Sequence, residues 1–224
     1  MLTYILRSTL FILLALKLFA CTPSRTADRA ELPKSDASYT LDASILDGGS
    51  APFIKHEDDK PFGSYLAMNL PYAPVKSLFD EIERTGGQSL ITRGEAHITV
   101  VTPVEFDKVL KKHLSISEIS KIALDAEIQS ATFDIVCLGK SELVVGNERL
   151  TTYFVVVTAL QLLEIRTAVQ QAYIKAGGAA DEFSPEGFYP HITVGFSKRD
   201  LHFEDGILKD KSACTADLLV RIAS

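Results

Sequence analysis

The chain has 224 residues, a formal net charge of −6 and an apolar fraction of 46%. That length suits one ordinary domain plus extensions, and that apolar fraction excludes a disordered chain. The acidic balance argues against a broad polyanion-binding surface, so a nucleic-acid partner would be met locally, at an end or a single nucleotide.

The chain opens on MLTYILRSTLFILLALKLFAC, with a lone Arg7, the apolar run Thr9–Leu16, and Leu18-Phe19-Ala20 ahead of Cys21. This is the pattern of a secretory signal over residues 1–21. The run is short for a membrane span, which needs about 20 apolar residues, and Lys17 interrupts it. Leu18-Phe19-Ala20-Cys21 also resembles a bacterial lipobox, which makes Cys21 a lipidation candidate, although Phe19 is not the usual small residue. An ordinary cleaved signal or an uncleaved anchor is the plainer reading. The expected location is outside the cytoplasm, on the envelope through a lipid if Cys21 is modified. Without a working signal, an intracellular RNA-processing role takes its place.

Residues 22–60 are rich in Ser, Thr, Ala, Asp and Pro and lack periodicity, so they are expected to be a flexible polar tether. His56 falls in this stretch and reads as solvated. The folded domain is expected over 61–224. Ser64–Leu70 reads as a strand. Pro74–Thr85 reads as a helix with Val75, Leu78, Phe79 and Ile82 on one face, closed by Gly86-Gly87. Ala96–Val101 is the next strand. Val104–Leu114 and Ser117–Leu124 read as helices, and Thr132–Leu138 and Glu142–Val145 as short strands. Thr152–Thr158 is a β-branched strand. Leu160–Ala176 is a helix with Leu162, Ile165, Val169, Ala172 and Tyr173 on one face, closed by Gly177-Gly178. His191–Phe196 is a strand, and Ala216–Ile222 closes the chain.

Two of these strands begin alike: His97-Ile98-Thr99-Val100 and His191-Ile192-Thr193-Val194. Each is preceded by strand, helix, Gly-Gly and loop, with 32 positions from Tyr65 to His97 and 38 from Tyr153 to His191. An internal duplication explains this better than coincidence. The expected class is therefore α+β: a bilobal, pseudo-two-fold fold with two antiparallel-rich sheets lining a central cleft and helices outside. Side chains alternate faces along a strand. His97 shares a face with Thr99, and His191 with Thr193, while the Ile and Val positions back them from a core. Two imidazoles and two hydroxyls in one cleft suit displacement at phosphorus. One neutral His takes a proton from the nucleophile, and one protonated His gives a proton to the leaving oxygen. The hydroxyls hold non-bridging oxygens. A pKa near 6.5 lets both protonation states exist near neutrality.

The paired motifs resemble those of the 2H phosphoesterase superfamily over roughly Ser64 to the C-terminus, and Phe188-Tyr189-Pro190-His191 is most similar to its Swiss-Army-Knife RNA-repair-like branch. The resemblance implies a metal-independent phosphodiesterase, with no cofactor, acting on 2′,3′-cyclic phosphates, 2′-5′ linkages or related RNA-end esters. It assigns His97 and His191 as the acid/base pair and Thr99 and Thr193 as phosphate ligands, and leaves open which His is acid and which is base. The partners it implies are a small nucleotide or RNA terminus, with the membrane met through an N-terminal lipid. No stable protein partner is implied, and the protein reads as a monomer.

Around the motifs, Phe188 and Tyr189 are candidates to stack on a base, or else they cover the core edge. Arg93 and the pair Lys198-Arg199 are candidate phosphate contacts, or else they face water. His113 reads as a surface residue, His202 either approaches the cleft or, by default, lies at the surface, and Pro103 and Pro190 read as strand-end punctuation. Metal ligation is the chemical rival, yet His-x-Thr supplies one good ligand per strand and no HExxH-like spacing occurs. Cys137 and Cys214 either pair in an oxidising compartment or lie free and buried. Two other functions stand beside the enzyme: a nucleotide- or phosphate-binding envelope protein that keeps the fold without turnover, and a purely structural envelope protein.

Overall fold

β-Branched runs with alternating faces build the body of this domain. The computed structural model describes residues 38–222; the signal segment 1–21, Cys21 and the first part of the expected tether lie outside the described residues. Among the described residues the strands are β1 (Ser38–Asp42), β2 (Leu66–Leu70), β3 (Ala96–Val101), β4 (Asp134–Val145), β5 (Glu148–Thr158), β6 (His191–Phe196) and β7 (Cys214–Arg221). They form one mixed sheet in the order β1-β7-β4-β5-β6-β3-β2, with β1 parallel to β7 and the other neighbours antiparallel. The helices are α1 (Tyr72–Gly86), α2 (Pro103–Lys108), α3 (Ile116–Asp125) and α4 (Leu160–Lys175).

The α+β class holds, and both repeated units are present as β2-α1-β3 and β5-α4-β6. The expected pair of sheets across a cleft is corrected to a single sheet. The reason is that β3 and β6 are direct neighbours, joined at Ile98↔Ile192, so the two units meet edge to edge. Leu138, Val155, Ile192, Ile98 and Met68 lie in register across five strands, all buried in one apolar core. Val75, Leu78, Phe79 and Ile82 of α1 and Leu162, Ile165, Val169 and Tyr173 of α4 join the same core. The helices therefore cover the face from which Ile98 and Ile192 project, leaving the histidine face to other elements.

Helix ends follow local chemistry. Thr102 with Glu105, and Ser115 with Glu118, form reciprocal capping boxes at the starts of α2 and α3. Pro103 is thus the first residue of a helix, two positions past the end of β3. The expected helix over Val104–Leu114 breaks into α2 and a 3₁₀ turn at Leu110–Lys112. Gly87 closes α1 with φ 61, donating its N–H to the Glu83 carbonyl, a left-handed position that glycine takes without steric cost. The two expected strands Thr132–Leu138 and Glu142–Val145 are one strand, β4, running through Gly139. A Cβ there would lie 2.4 Å from the Phe154 ring; the missing side chain is what lets Phe154 lie across β4.

The tether reading is corrected for residues 38–60. Leu41 and Ile45 are fully buried, and β1 adds an edge to the sheet beside β7. Gln129 donates through Nε2 to the carbonyls of Gly48 (3.1 Å) and Ala51 (2.9 Å), and Asn69 Oδ1 accepts from the Ile54 N–H. A polar composition concealed this docking because two apolar side chains and a few long-range hydrogen bonds are enough to hold the segment. His113, expected to face water, meets the Ala176 carbonyl through Nδ1 at 3.1 Å and the Tyr173 ring edge-on.

Arg166 is the charged residue that periodicity concealed within the apolar face of α4. It is 1% exposed. Its guanidinium donates to the carbonyls of Val100 (2.7 Å), Pro185 (2.8 Å) and Ser184 (2.8 Å), and to both carboxylate oxygens of Glu105 (2.8 and 3.2 Å). One side chain thereby ties β3 to the loop that leads into β6.

Cys137 of β4 and Cys214 of β7 are disulfide-bonded, with Cα atoms 5.7 Å apart and a separation of 77 positions in sequence. Closing so long a loop restricts the unfolded chain, and reduction is expected to cost about 2–4 kcal/mol of stability. Urea unfolding with and without reductant measures this; superimposable curves would show that the bridge adds nothing.

Candidate active site

The strand register builds the site. Ile98 and Ile192 are cross-strand partners, so one step along each antiparallel strand brings His97 opposite Thr193 and Thr99 opposite His191. All four side chains stand on the face away from α1 and α4. The lateral neighbours of β6 on this face are Phe154 and Val156, in register with Thr193 and His191. With Cys137 and Ala213 they form a second, smaller apolar cluster that floors the site.

His191 meets the Phe154 ring edge-on at 5.9 Å. Its Nδ1 lies 2.7 Å from the Tyr189 carbonyl. A carbonyl only accepts, so Nδ1 carries a proton and the neutral ring presents Nε2 as its acceptor. Burial, and then the Lys209 ammonium, hold the His191 pKa far below 6.5. His97 is 13% exposed. Its pKa is lowered to about 4, by burial first and then by the Arg93 charge and His56. His97 Nδ1 is buried without a hydrogen-bond partner among the described residues, and the Glu95 carboxylate stands 3.5 Å away. Without ligand, then, both imidazoles are neutral near pH 7.

Two further groups approach His97. Tyr65 lies 5.7 Å from it, ring to ring, and His56 lies 6.1 Å from it. His56 stacks on Tyr65 at 4.1 Å with an interplanar angle of 15°, which corrects its reading as a solvated residue. Burial and then Glu95 push the Tyr65 phenol up to about 12, so it stays protonated and available as a donor.

Asp200 is the hub of the polar face, and sequence reasoning missed it. It is 4% exposed in its side chain. It accepts from Lys209 Nζ at 2.8 Å, Arg93 Nη2 at 3.1 Å and Thr193 Oγ1 at 3.2 Å, and His202 Nε2 stands 3.9 Å away. Burial alone would raise its pKa, but Lys209 outweighs this and holds the carboxyl well below the usual carboxylate range. Lys209, also missed, is 3% exposed and lies over the Phe154 ring at 5.4 Å. No motif marks either residue; the only signal was acidic and basic side chains following the second motif strand.

The other sequence candidates fall differently. Arg93 reaches the site through Asp200. Thr99 is half-buried beside His97. Tyr189 stacks on Phe203 at 6.0 Å and Phe188 lies on Arg166 at 5.2 Å, so Phe188 is engaged by the core rather than standing free. Both border an open apolar groove of about 370 Å³, whose walls include Leu160, Leu163, Pro190 and Lys211. Lys198 pairs with Glu148 at 3.6 Å on the exposed end of β5; the structure does not bring it to the histidines. His202, expected at the surface, is half-exposed yet borders Asp200. Among the described residues no three His, Cys, Asp or Glu side chains are grouped as a metal site would require.

No curated relative and no solved structure matches the chain. Residues 64–202 match the family model described as the Swiss Army Knife, 2H phosphoesterase domain. The matched span is more than half of the chain and holds both His-x-Thr motifs, Arg93 and Asp200, which the fold gathers on one face of one sheet. The chain therefore belongs to the 2H phosphoesterase superfamily.

Proposed function

We propose that this protein is a phosphodiesterase of small nucleotide or RNA-end esters, 2′,3′-cyclic phosphates or 2′-5′ linkages, acting by paired imidazole catalysis without a metal. Family membership supports phosphodiesterase-type activity in general. The observation that carries the finer reading is the Ile98↔Ile192 register, which sets the two His-x-Thr motifs side by side. His191, with Nε2 presented as an acceptor, takes the proton from the attacking hydroxyl or water. His97, protonated once the phosphate is bound, delivers a proton to the leaving oxygen. Thr99 and the charges around Asp200 hold the non-bridging oxygens. Export is proposed with this activity, supported by the signal-like leader and by a disulfide, which persists in oxidising compartments.

The test is turnover of a panel of 2′,3′-cyclic nucleotides and a 2′-5′-linked oligonucleotide by the full chain. Product with a defined phosphate position is expected. No turnover of any member, with phosphate still bound, would replace the enzyme by a binding protein. Activity is expected to survive EDTA; loss on chelation restored by zinc would overturn the metal-free mechanism.

The lowered histidine pKa values carry a sign. In the free enzyme a neutral base needs pH above one low pKa, and a protonated acid needs pH below another. The optimum of kcat/KM is therefore expected on the acid side of 6.5. A bound phosphate anion favours both imidazolium forms, so the kcat optimum lies at higher pH than that of kcat/KM. Full pH profiles of the two parameters check this, and coincident or flat profiles between pH 4 and 8 would defeat it. Stability moves the opposite way. Each folded imidazole has a pKa below its unfolded value, so the unfolded chain binds more protons and stability falls as pH drops from about 7 towards 4.

A further inference from the structure

We propose that Lys209 is a third phosphate-binding group of this site and that Asp200 is its positioning residue. Lys209 comes from a segment beyond the matched family domain, which ends at residue 202. The proposal rests on the phosphodiesterase reading for its substrate, though not for the anion site itself.

The argument starts from donors and charges. An ammonium has three N–H donors. That of Lys209 gives one to Asp200 Oδ1 at 2.8 Å and lies over the Phe154 ring, the same ring that flanks His191. It is buried, yet its inventory leaves donors for a ligand. Asp200 neutralises one positive charge, while two, Lys209 and Arg93, converge on it. The hub therefore carries one net positive charge beside two imidazoles that are themselves uncharged. Lys209 and Asp200 form a buried pair that is neutral by itself, and the excess charge rests on Arg93, whose side chain is 37% exposed, so the hub is cationic on its solvent side and a singly charged phosphodiester is the counter-ion that fits. Asp200 also accepts the hydrogen bond of the Thr193 hydroxyl. Thr193 thus serves to orient the hub, and the cationic donors facing the phosphate come from Lys209 and Arg93. The groups facing Lys209 from the packed elements are Asp200, His191, His97, His202, Arg93 and Asp205.

The experiment uses Lys209→Met and the double variant Asp200→Asn/Lys209→Met in the full chain. Lys209→Met alone leaves Asp200 with Arg93 as its remaining close cation and is at risk of instability. The double variant removes both charges of the buried pair, a change that is often tolerated. Wild type and variants are assayed on the cyclic-nucleotide panel. They are also titrated with inorganic phosphate while the His191 and His97 ring protons are followed by NMR across pH. Lys209→Met is expected to lower kcat by about 10²–10³-fold, the usual loss of an oxyanion donor. The double variant is expected to regain the wild-type melting temperature without regaining kcat. In both variants the ligand-free His191 titration is expected to move to higher pH, and phosphate binding to weaken at least tenfold. Recovery of kcat in the double variant would show that the lysine serves only to neutralise Asp200, and would overturn the proposal. If wild type turns over no substrate, phosphate titration decides alone: equal affinity in wild type and the double variant overturns it, and a tenfold loss sustains the anion site even as the enzyme reading falls.

Discussion

His97→Ala and His191→Ala are each expected to lower kcat by about 10²–10⁴-fold, the contribution typical of a positioned acid or base. The double variant is expected to be little worse than either single one, because the two imidazoles serve one transition state and their losses are not additive. A cleaner control is His191→Asn. Its side-chain amide still offers a donor near the Nδ1 position for the Tyr189 carbonyl, which His191 holds at 2.7 Å, but nothing replaces Nε2. That variant is expected to keep the wild-type melting temperature and lose turnover as alanine does. Retention of more than a tenth of kcat in His191→Asn would mean that the imidazole acts by shape rather than by proton transfer.

The second large effect is on stability. Arg166→Met removes a cation that is 1% exposed and leaves the carbonyls of Val100, Pro185 and Ser184 and the Glu105 carboxylate without their donor. Breaking a buried charged pair from one side costs roughly 3–5 kcal/mol. For a domain of this size that is a fall in melting midpoint of roughly 6–20 °C. Arg166→Lys is expected to rescue little, because a point charge cannot serve carbonyls and carboxylate together as the planar fork does. Activity is expected to fall as well, since Val100 belongs to β3 and Pro185 to the approach to β6. Calorimetry of the two variants beside wild type reads the stability effect directly. A midpoint within 2 °C of wild type for Arg166→Met would show that Arg166 does not hold the two motif strands together.

The same residue shows where sequence reading reaches its limit. Helical spacing in Leu160–Ala176 was legible from Leu162, Ile165, Val169 and Tyr173, all of which are buried. Arg166 shares that interior and looks like a solvated charge until its partners are known, and those partners lie 18 to 66 residues away. Residues 38–60 misled in the opposite direction. Their polar composition resembles a linker, but Leu41, Ile45 and the Gln129 and Asn69 hydrogen bonds dock them. Docking also brings His56 against Tyr65. The single sheet was hidden for a related reason: a duplicated unit fixes what each half contains, but not whether the halves face each other or join edge to edge.

By itself, the sequence determined most of the elements from residue 61 onward and which motif residues share a face. The period of two in His-Ile-Thr-Val turns His and Thr to one face and Ile and Val to the other, whatever surrounds the strand. The helical spacing of apolar residues and the glycine after α1 likewise need only local geometry. Tertiary structure alone decided that β3 and β6 are neighbours, that Cys137 meets Cys214, and that Arg93 and Asp200, 107 residues apart, share a hydrogen bond. It also decided that Lys209 is buried against Asp200 and Phe154. Those are long-range pairings of residues that carry no local signal. Charge, burial and hydrogen bonding acquire their energies only once the chain has closed around them.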